Sequence, residues 1–337
     1  MAEKQKGGFG NMTEIIPISD ASIASAVTRL KAGRLVAFPT ETVYGLGADA
    51  TNASAVACIF AAKQRPEFNP LISHVASRAA AFEFGKETPV AAALADAFWP
   101  GPLTLILHRT NLCPVAMLAT AGLDKIGLRV PAHDGAQMLL RAFGRPVAAP
   151  SANLSGKISP STAYHVIHGL GENVEFVLDG GPSKNGLEST IIDCTGPKAC
   201  LLRPGSITRE AITTALTEAG LDPSITIAKP LDDQANPIAP GQLKSHYAPR
   251  AKMRLAAKTK QLGEELIGFG AILGAGKLEL NLSPSSDLIE AAANLYSMLH
   301  AADATGTEEI AIAPIPNASL GEAINDRLRR AAAPRPT

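Results

Sequence analysis

Aromatic residues make up only 4% of this chain of 337 residues. That is too few for the stacked platforms by which proteins grip single-stranded nucleic acid. No charge of one sign prevails: 31 Lys+Arg stand against 31 Asp+Glu, a formal net charge of zero. A whole-surface electrostatic hold on nucleic acid is therefore not supported, although a local patch is not excluded. Cysteine is scarce. Cys58, Cys113, Cys194 and Cys200 form no C-x-x-C pair, so the simplest reading is reduced thiols rather than a zinc or redox site. No uncharged apolar run approaches the ~20 residues of a membrane span. The stretch "MAEKQKGGFGNMTEI" lacks the apolar core of a secretory signal. A soluble, cytoplasmic protein with no membrane partner is expected.

Several chemical signatures are missing too. The sequence has no G-x-x-x-x-G-K-[ST], no strand-linked G-x-G-x-x-G, no H-E-x-x-H and no G-x-S-x-G. "GFGAILGAG" comes near a nucleotide fingerprint, but Gly268, Gly270, Gly274 and Gly276 are wrongly spaced. A Ser-His-Asp site assembled from distant residues stays open.

Apolar residues are plentiful, at 46%, and the length suits two domains better than one core. "SDASIASAVTRLKAG", "NASAVACIFAAKQRP" and "PVAAALADAFWPGP" read as helices, the second closing at Arg65 before a proline. "RLVAFPT", "PLISHVAS", "LTLILHR", "IGLRVPA", "PVAAPSA", "VEFVLDGG", "STIIDCT" and "ACLLRPG" read as short strands stopped by Gly or Pro. Many strands and few helices predict a twisted mixed sheet with flanking helices over residues 14–220. Residues 221–250 are rich in Pro, Asp, Ser and Gln and read as a linker. Over 251–333, "KMRLAA", "LIGFGAIL", "KLELNLS" and "EIAIAPI" alternate with two helical stretches, predicting a small parallel α/β domain.

Five stretches share one property. "FPTETVYGLG", "KQRPEFNPLISHV", "APSANLSGKISP", "GLESTIIDCTG" and "LLRPGSIT" each end an apolar element and then present polar groups beside Gly or Pro. Loops of this kind, held by a rigid scaffold, are where α/β proteins place their sites. Lys63 and Arg65 are either solvated cations at a helix end or an anion clamp. His74 is either a core histidine or a ligand. Ser151, Asn153 and Ser155 make either a plain turn or a cradle for phosphate or ribose. The loops offer binding and orientation without an evident covalent nucleophile, a profile that suits phosphoryl or nucleotidyl transfer.

Together, in order and spacing, these stretches resemble the YrdC/Sua5 family, and "APGQLKSHYAP" followed by a small α/β unit resembles its longer, two-domain Sua5 form. The resemblance spans about residues 14–333. It implies a YrdC-like catalytic domain and a C-terminal Rossmann-like parallel α/β domain. It also implies synthesis of threonylcarbamoyl-AMP and pyrophosphate from L-threonine, bicarbonate and ATP, for the t6A modification of tRNA. By the same resemblance Thr42, His74, Arg129, Ala149 and Ser189 form the threonine pocket. Arg65, Asn69, Ser151, Ser159, Arg203 and Tyr247 contact ATP, and Lys63, Arg65, Ser151 and Asn153 form the catalytic set. Mg²⁺ is expected on the triphosphate, held mostly by phosphate oxygens and water, with no protein ligand assigned. Glu41 is the nearest candidate acid, and His246 with Tyr247 a candidate lid. Six Lys/Arg without an acid run from Lys244 to Lys260. They suit phosphates, a partner such as a downstream t6A transferase complex, or solvent, with tRNA contact weak or indirect. The alternative is a non-catalytic nucleotide- or RNA-binding module. Hydrogenase-maturation carbamoyltransferases carry a similar domain, but the zinc-finger cysteine pairs they have are missing here.

Overall fold

The computed structural model describes residues 13–228, 237–242 and 244–334. The chain opens with β1 (Glu14–Pro17), α1 (Asp20–Lys31), β2 (Val36–Phe38), β3 (Gly45–Asp49), α2 (Ala53–Lys63) and β4 (Ile72–His74). It continues through α3 (Arg78–Phe84), α4 (Pro89–Phe98), β5 (Leu103–His108), β6 (Lys125–Arg129), α5 (Asp134–Phe143) and β7 (Val147–Ala148). Then come α6 (Ala163–Leu170), β8 (Phe176–Asp179), β9 (Thr190–Asp193), β10 (Cys200–Arg203), α7 (Arg209–Glu218) and β11 (Thr226–Ile227). These strands make one mixed sheet of 11, in the order β1-β8-β2-β3-β7-β4-β6-β5-β9-β10-β11.

Local chemistry explains the helix ends. Ser19 and Ser22 form a reciprocal capping box at the start of α1. Asn52 caps α2 by accepting the Ser54 and Ala55 N–H groups. The second of these helices stops earlier than its proline predicts. Gln64 takes a left-handed conformation (φ 50°) and ends α2 at Lys63, as C-terminal caps commonly do. On the sheet, α1 and α5 pack with Phe38, Val147 and Phe176, whereas α4 and α7 share a core with Leu103, Leu105 and Ile192.

A second unit follows: β12 (Lys252–Arg254), β13 (Glu264–Ile267), α8 (Leu288–Ala304), β14 (Glu309–Ile312) and α9 (Leu320–Ala332). Its three strands are parallel, in the order β12-β14-β13. The two units are not independent. Val43, Ile158 and Leu187 of the first lie in one buried cluster with Leu295, Leu299 and Ile324 of the second.

Within the stretch expected to be a linker, β11 pairs with β10. Three other expectations need correction. Helices are more numerous than expected, since α5, α6 and α7 also cover the sheet. "KLELNLS" is not a strand despite its alternation. The Glu265 carboxylate accepts the Lys277 and Leu278 N–H groups at 2.8 and 3.3 Å, in place of a strand ladder. Finally, "GLGAD" is a central strand rather than a loop. Gly47 permits it: a Cβ there would lie 2.8 Å from the Phe38 ring and 2.9 Å from Val147. Replacing Gly47 with Val is expected to destabilise the fold by about 1–3 kcal/mol through overpacking. Urea unfolding of the variant measures this, and an unchanged midpoint would contradict the close approach.

Candidate active site

The "PTET" turn after β2 closes on itself. Thr40 Oγ1 donates to the Val43 carbonyl at 2.7 Å and accepts the Thr42 and Val43 N–H groups at 3.2 and 3.3 Å. Thr42 Oγ1 lies 2.8 Å from Thr40 Oγ1. Arg129, at the end of β6, donates from Nη1 to Thr42 Oγ1 at 2.9 Å and from Nη2 to Glu41 Oε1 at 2.6 Å. The other Glu41 oxygen accepts the Ala132 N–H at 3.1 Å. Glu41 is thus committed to neutralising and aiming Arg129, which corrects its reading as an acid. Tyr44, an exposed type of residue, is fully buried, and its hydroxyl donates to the Gly181 carbonyl at 2.7 Å.

His74 ends β4 in register with Arg129. Its ring sits edge-on to Phe38, centroids 6.1 Å apart, and its Nδ1 has no hydrogen-bond partner. Burial, then the Arg129 charge, holds its pKa down at about 3. The imidazole is therefore neutral at ordinary pH. Ala149, just past β7, donates its N–H to the Ile72 carbonyl at 3.0 Å and forms part of the same wall. Ser189 precedes β9, its Oγ 2.7 Å from Thr104 Oγ1.

Arg65 and Arg203 are both buried. The Arg65 guanidinium donates to the Asn69 and Pro70 carbonyls at 3.2 and 3.0 Å. Arg203 donates to the Ser189 carbonyl at 3.2 and 2.9 Å, and to Ser189 Oγ at 3.2 Å. Among the described residues neither has a carboxylate in ion-pair range. Burial brings the Arg65 pKa down to about 10, which still leaves it charged.

These groups meet around one cavity of about 50 Å³. Of the residues expected at the site, Thr42, Arg65, His74, Arg129, Ala149, Ser151, Ser189, Arg203, His246 and Tyr247 line it. Lys63, Asn69, Asn153 and Ser159 lie behind the wall. The Lys63 ammonium donates to the Ser151 carbonyl at 2.6 Å and to the Asn153 carbonyl. Burial pushes its pKa well down. Asn153 Nδ2 is bound to the Leu154 and Lys157 carbonyls, both at 2.8 Å. Both residues brace the Ser151 loop. Asn69 is fully buried, with neither side-chain amide atom hydrogen-bonded.

Sequence reasoning missed Thr40, Glu188 and Gly241, which also line the cavity. Glu188 and Thr40 stood beside residues singled out from "EST" and "TET". Gly241 gave no signal. Its φ of +83° and the 2.9 Å that would separate a Cβ from the Tyr247 hydroxyl explain the glycine. Tyr247 itself is left-handed (φ 66°), fully buried, and its hydroxyl is unpartnered.

A family model named for Sua5, YciO and YrdC, and described as telomere recombination, matches residues 28–205. A second, described as the threonylcarbamoyl-AMP synthase C-terminal domain, matches 207–333. The chain belongs to the Sua5 family. A threonylcarbamoyl-AMP synthase of Pyrococcus abyssi is 39% identical over 332 residues, 93% of this chain and 95% of that one. One of Bacillus subtilis is 39% identical over 349 aligned residues, 98% of each chain. The crystal structure of P. abyssi Sua5 complexed with L-threonine superposes at a TM-score of 0.84. It is 37% identical and covers 95% of this chain and 98% of that one. The mixed sheet with flanking helices is thus the Sua5 fold.

Two predictions follow from the geometry of this Sua5 site. Glu41→Gln leaves Arg129 buried without its counter-charge, and should cost about 3–5 kcal/mol in chemical unfolding. A loss below about 1 kcal/mol would mean that the pair is solvated. The second concerns pH. His74 and His246 are each held at about 3, mainly by burial, against an ordinary value of 6.5. Unfolded, they take up protons as pH falls through 6.5; folded, they do not until about 3. Their contribution is complete above pH 6.5 and is lost progressively below it. Unfolding midpoints should therefore fall between about pH 7.5 and about pH 4.5, with a shallower slope in His246→Gln.

Proposed function

We propose that this chain is a threonylcarbamoyl-AMP synthase, an adenylate-forming nucleotidyltransferase. One observation carries the reading. Two buried guanidiniums without carboxylates, Arg65 and Arg203, face the same cavity as a hydroxyl, imidazole and guanidinium cluster built from Thr42, His74 and Arg129. The first pair calls for a polyanion. The second suits a small hydroxy amino acid: Arg129 for its carboxylate, Thr42 and Ser189 for its polar groups.

The threonine amine and bicarbonate give a carbamate and water. A carbamate oxygen attacks the α-phosphorus of ATP, and the bond to the β-phosphate oxygen breaks as pyrophosphate leaves. The nucleophile belongs to the substrate, so the protein needs none. Its part is to hold two anions together and to exclude water from a labile mixed anhydride.

Mg²⁺ would enter on the triphosphate. Glu41 and Glu188 are already bound to Arg129 and Arg327. No metal-binding cluster of His, Cys, Asp or Glu exists among the described residues. Phosphate oxygens and water would complete the coordination. A cavity of about 50 Å³ holds a few waters, and ATP is far larger. The described residues Gly241, His246 and Tyr247 line this cavity and are the candidate lid over it. The product would pass to a t6A transferase complex, with tRNA contacting this chain weakly or indirectly. No described helix is long and apolar enough to cross a membrane, which suits a cytoplasmic role.

Pyrophosphate release tests the reading, with ATP, Mg²⁺ and bicarbonate, with and without L-threonine. Threonine-dependent release is expected, absent with valine. Arg65→Ala should raise the ATP KM and Thr42→Ala the threonine KM, each on the order of 10- to 100-fold for a lost charged or buried partner. Nucleotide binding with no threonine-dependent release would favour the non-catalytic module instead.

A further inference from the structure

The second domain sends one charged side chain into the first. Arg327, on α9, is 1% exposed, the largest fully buried side chain among the described residues. Its Nε donates to Glu188 Oε2 at 2.7 Å and its Nη2 to the Pro204 carbonyl at 2.9 Å. Its guanidinium lies 5.2 Å from the centroid of the Tyr247 ring, within cation–π range. Tyr296 of α8 donates its hydroxyl to the same Glu188 carboxylate, at 2.9 Å from both oxygens, and its ring stacks 6.1 Å from Tyr247.

Each of these contacts lands on a segment that carries a proposed nucleotide contact. Glu188 accepts the Ser159 hydroxyl at 2.6 Å. Pro204 follows Arg203. Tyr247 is itself the lid residue. The threonine cluster is held differently, from within the first domain. Thr42 is fixed by Thr40, Arg129 by Glu41, and His74 by Phe38. Ser189 is anchored by Thr104 and Arg203.

We infer that Arg327, with Tyr296, is a positioning residue for the nucleotide side of the cavity, so that the C-terminal domain forms part of the frame of the active site. The inference rests on the synthase reading for the identity of the nucleotide. It grades the two substrates: loss of Arg327 disturbs the Ser159, Arg203 and Tyr247 segments together, and reaches the threonine cluster only through Ser189, which follows Glu188 and accepts from Arg203, while Thr42, His74 and Arg129 stay held from elsewhere. Glu188 reports the same contact. Burial raises its pKa, but the charges of Arg327 and then Arg203 bring it down to about 2. Without Arg327 its carboxylate would begin to take up a proton at higher pH.

The test compares Arg327→Lys, Arg327→Gln and Tyr296→Phe with Leu266→Ala, a core change in β13 that packs with Ala257 and Ala311 in a separate cluster. ATP affinity is read by kinetics and calorimetry, threonine affinity by calorimetry, and stability by melting temperature. Expected are a rise in ATP KM and Kd of about tenfold or more in the Arg327 variants and a smaller rise in Tyr296→Phe. Threonine Kd should rise several-fold less than ATP Kd, and Leu266→Ala should melt earlier with unchanged ATP affinity. Arg327→Gln should also move the acid limb of kcat/KM for ATP to higher pH than in the wild type. Folded Arg327 variants with wild-type ATP affinity would overturn the inference. So would equal weakening of ATP and threonine, or an Arg327 variant that fails to fold beside a Tyr296→Phe with wild-type ATP affinity. A wild-type chain that releases no pyrophosphate would sink the synthase reading alone, because the calorimetric comparison remains readable.

Discussion

Burying a cation without an anion is the constraint around which this structure is arranged. A guanidinium removed from water must be matched by carbonyls, by a carboxylate or by a ligand. The chain uses the first two differently. Arg327 receives the Glu188 carboxylate and is thereby fixed as framework, whereas Arg129 receives Glu41, which aims it at the cavity it lines. Arg65 and Arg203 receive carbonyls, which orient the guanidinium without cancelling its charge. The surplus charge is felt around the cavity. It helps to keep His246 neutral, where Arg65 adds to burial, and Lys63 depressed, where Arg65 acts again. A bound polyanion would relieve all of these at once, which is why the proposed triphosphate site is put at the two unmatched guanidiniums.

Much of this was legible beforehand, and what was not has identifiable causes. Short apolar strands that stop at Gly or Pro, such as "LTLILHR" and "STIIDCT", were found because backbone chemistry marks both ends. β3 was missed because "GLGAD" carries no local preference for a strand. Only the close approach of Phe38 and Val147 makes its glycines fit. "KLELNLS" misled for the opposite reason: its alternation was real, but a side chain, Glu265, took the N–H groups a ladder would have used. At the site, the residue types were readable and their division of labour was not. Nothing in "KQRP" says that Arg65 faces the cavity while Lys63 turns to the Ser151 and Asn153 carbonyls. That depends on Gln64 ending the helix in a left-handed conformation, a choice made by tertiary packing.

The junction between domains shows why an ion pair stands where apolar residues would serve stability as well. Buried pairs seldom stabilise a fold more than well-packed hydrophobic side chains of equal volume. Val43, Ile158 and Leu187 already supply apolar contact across this junction. What apolar packing lacks is direction, since a methyl group can slide by fractions of an ångström at small cost. Arg327 cannot: its fork must meet Glu188 and Pro204 together, and Glu188 must meet Ser159 and Tyr296 as well. The same junction holds Tyr247 in a left-handed conformation, a strain of roughly 1–2 kcal/mol for a residue with a Cβ. The rings and guanidinium packed around it maintain that strain. A residue held by packing against a second domain, yet strained in its own backbone, needs less free energy to release than a relaxed one, which is what the proposed lid role would require.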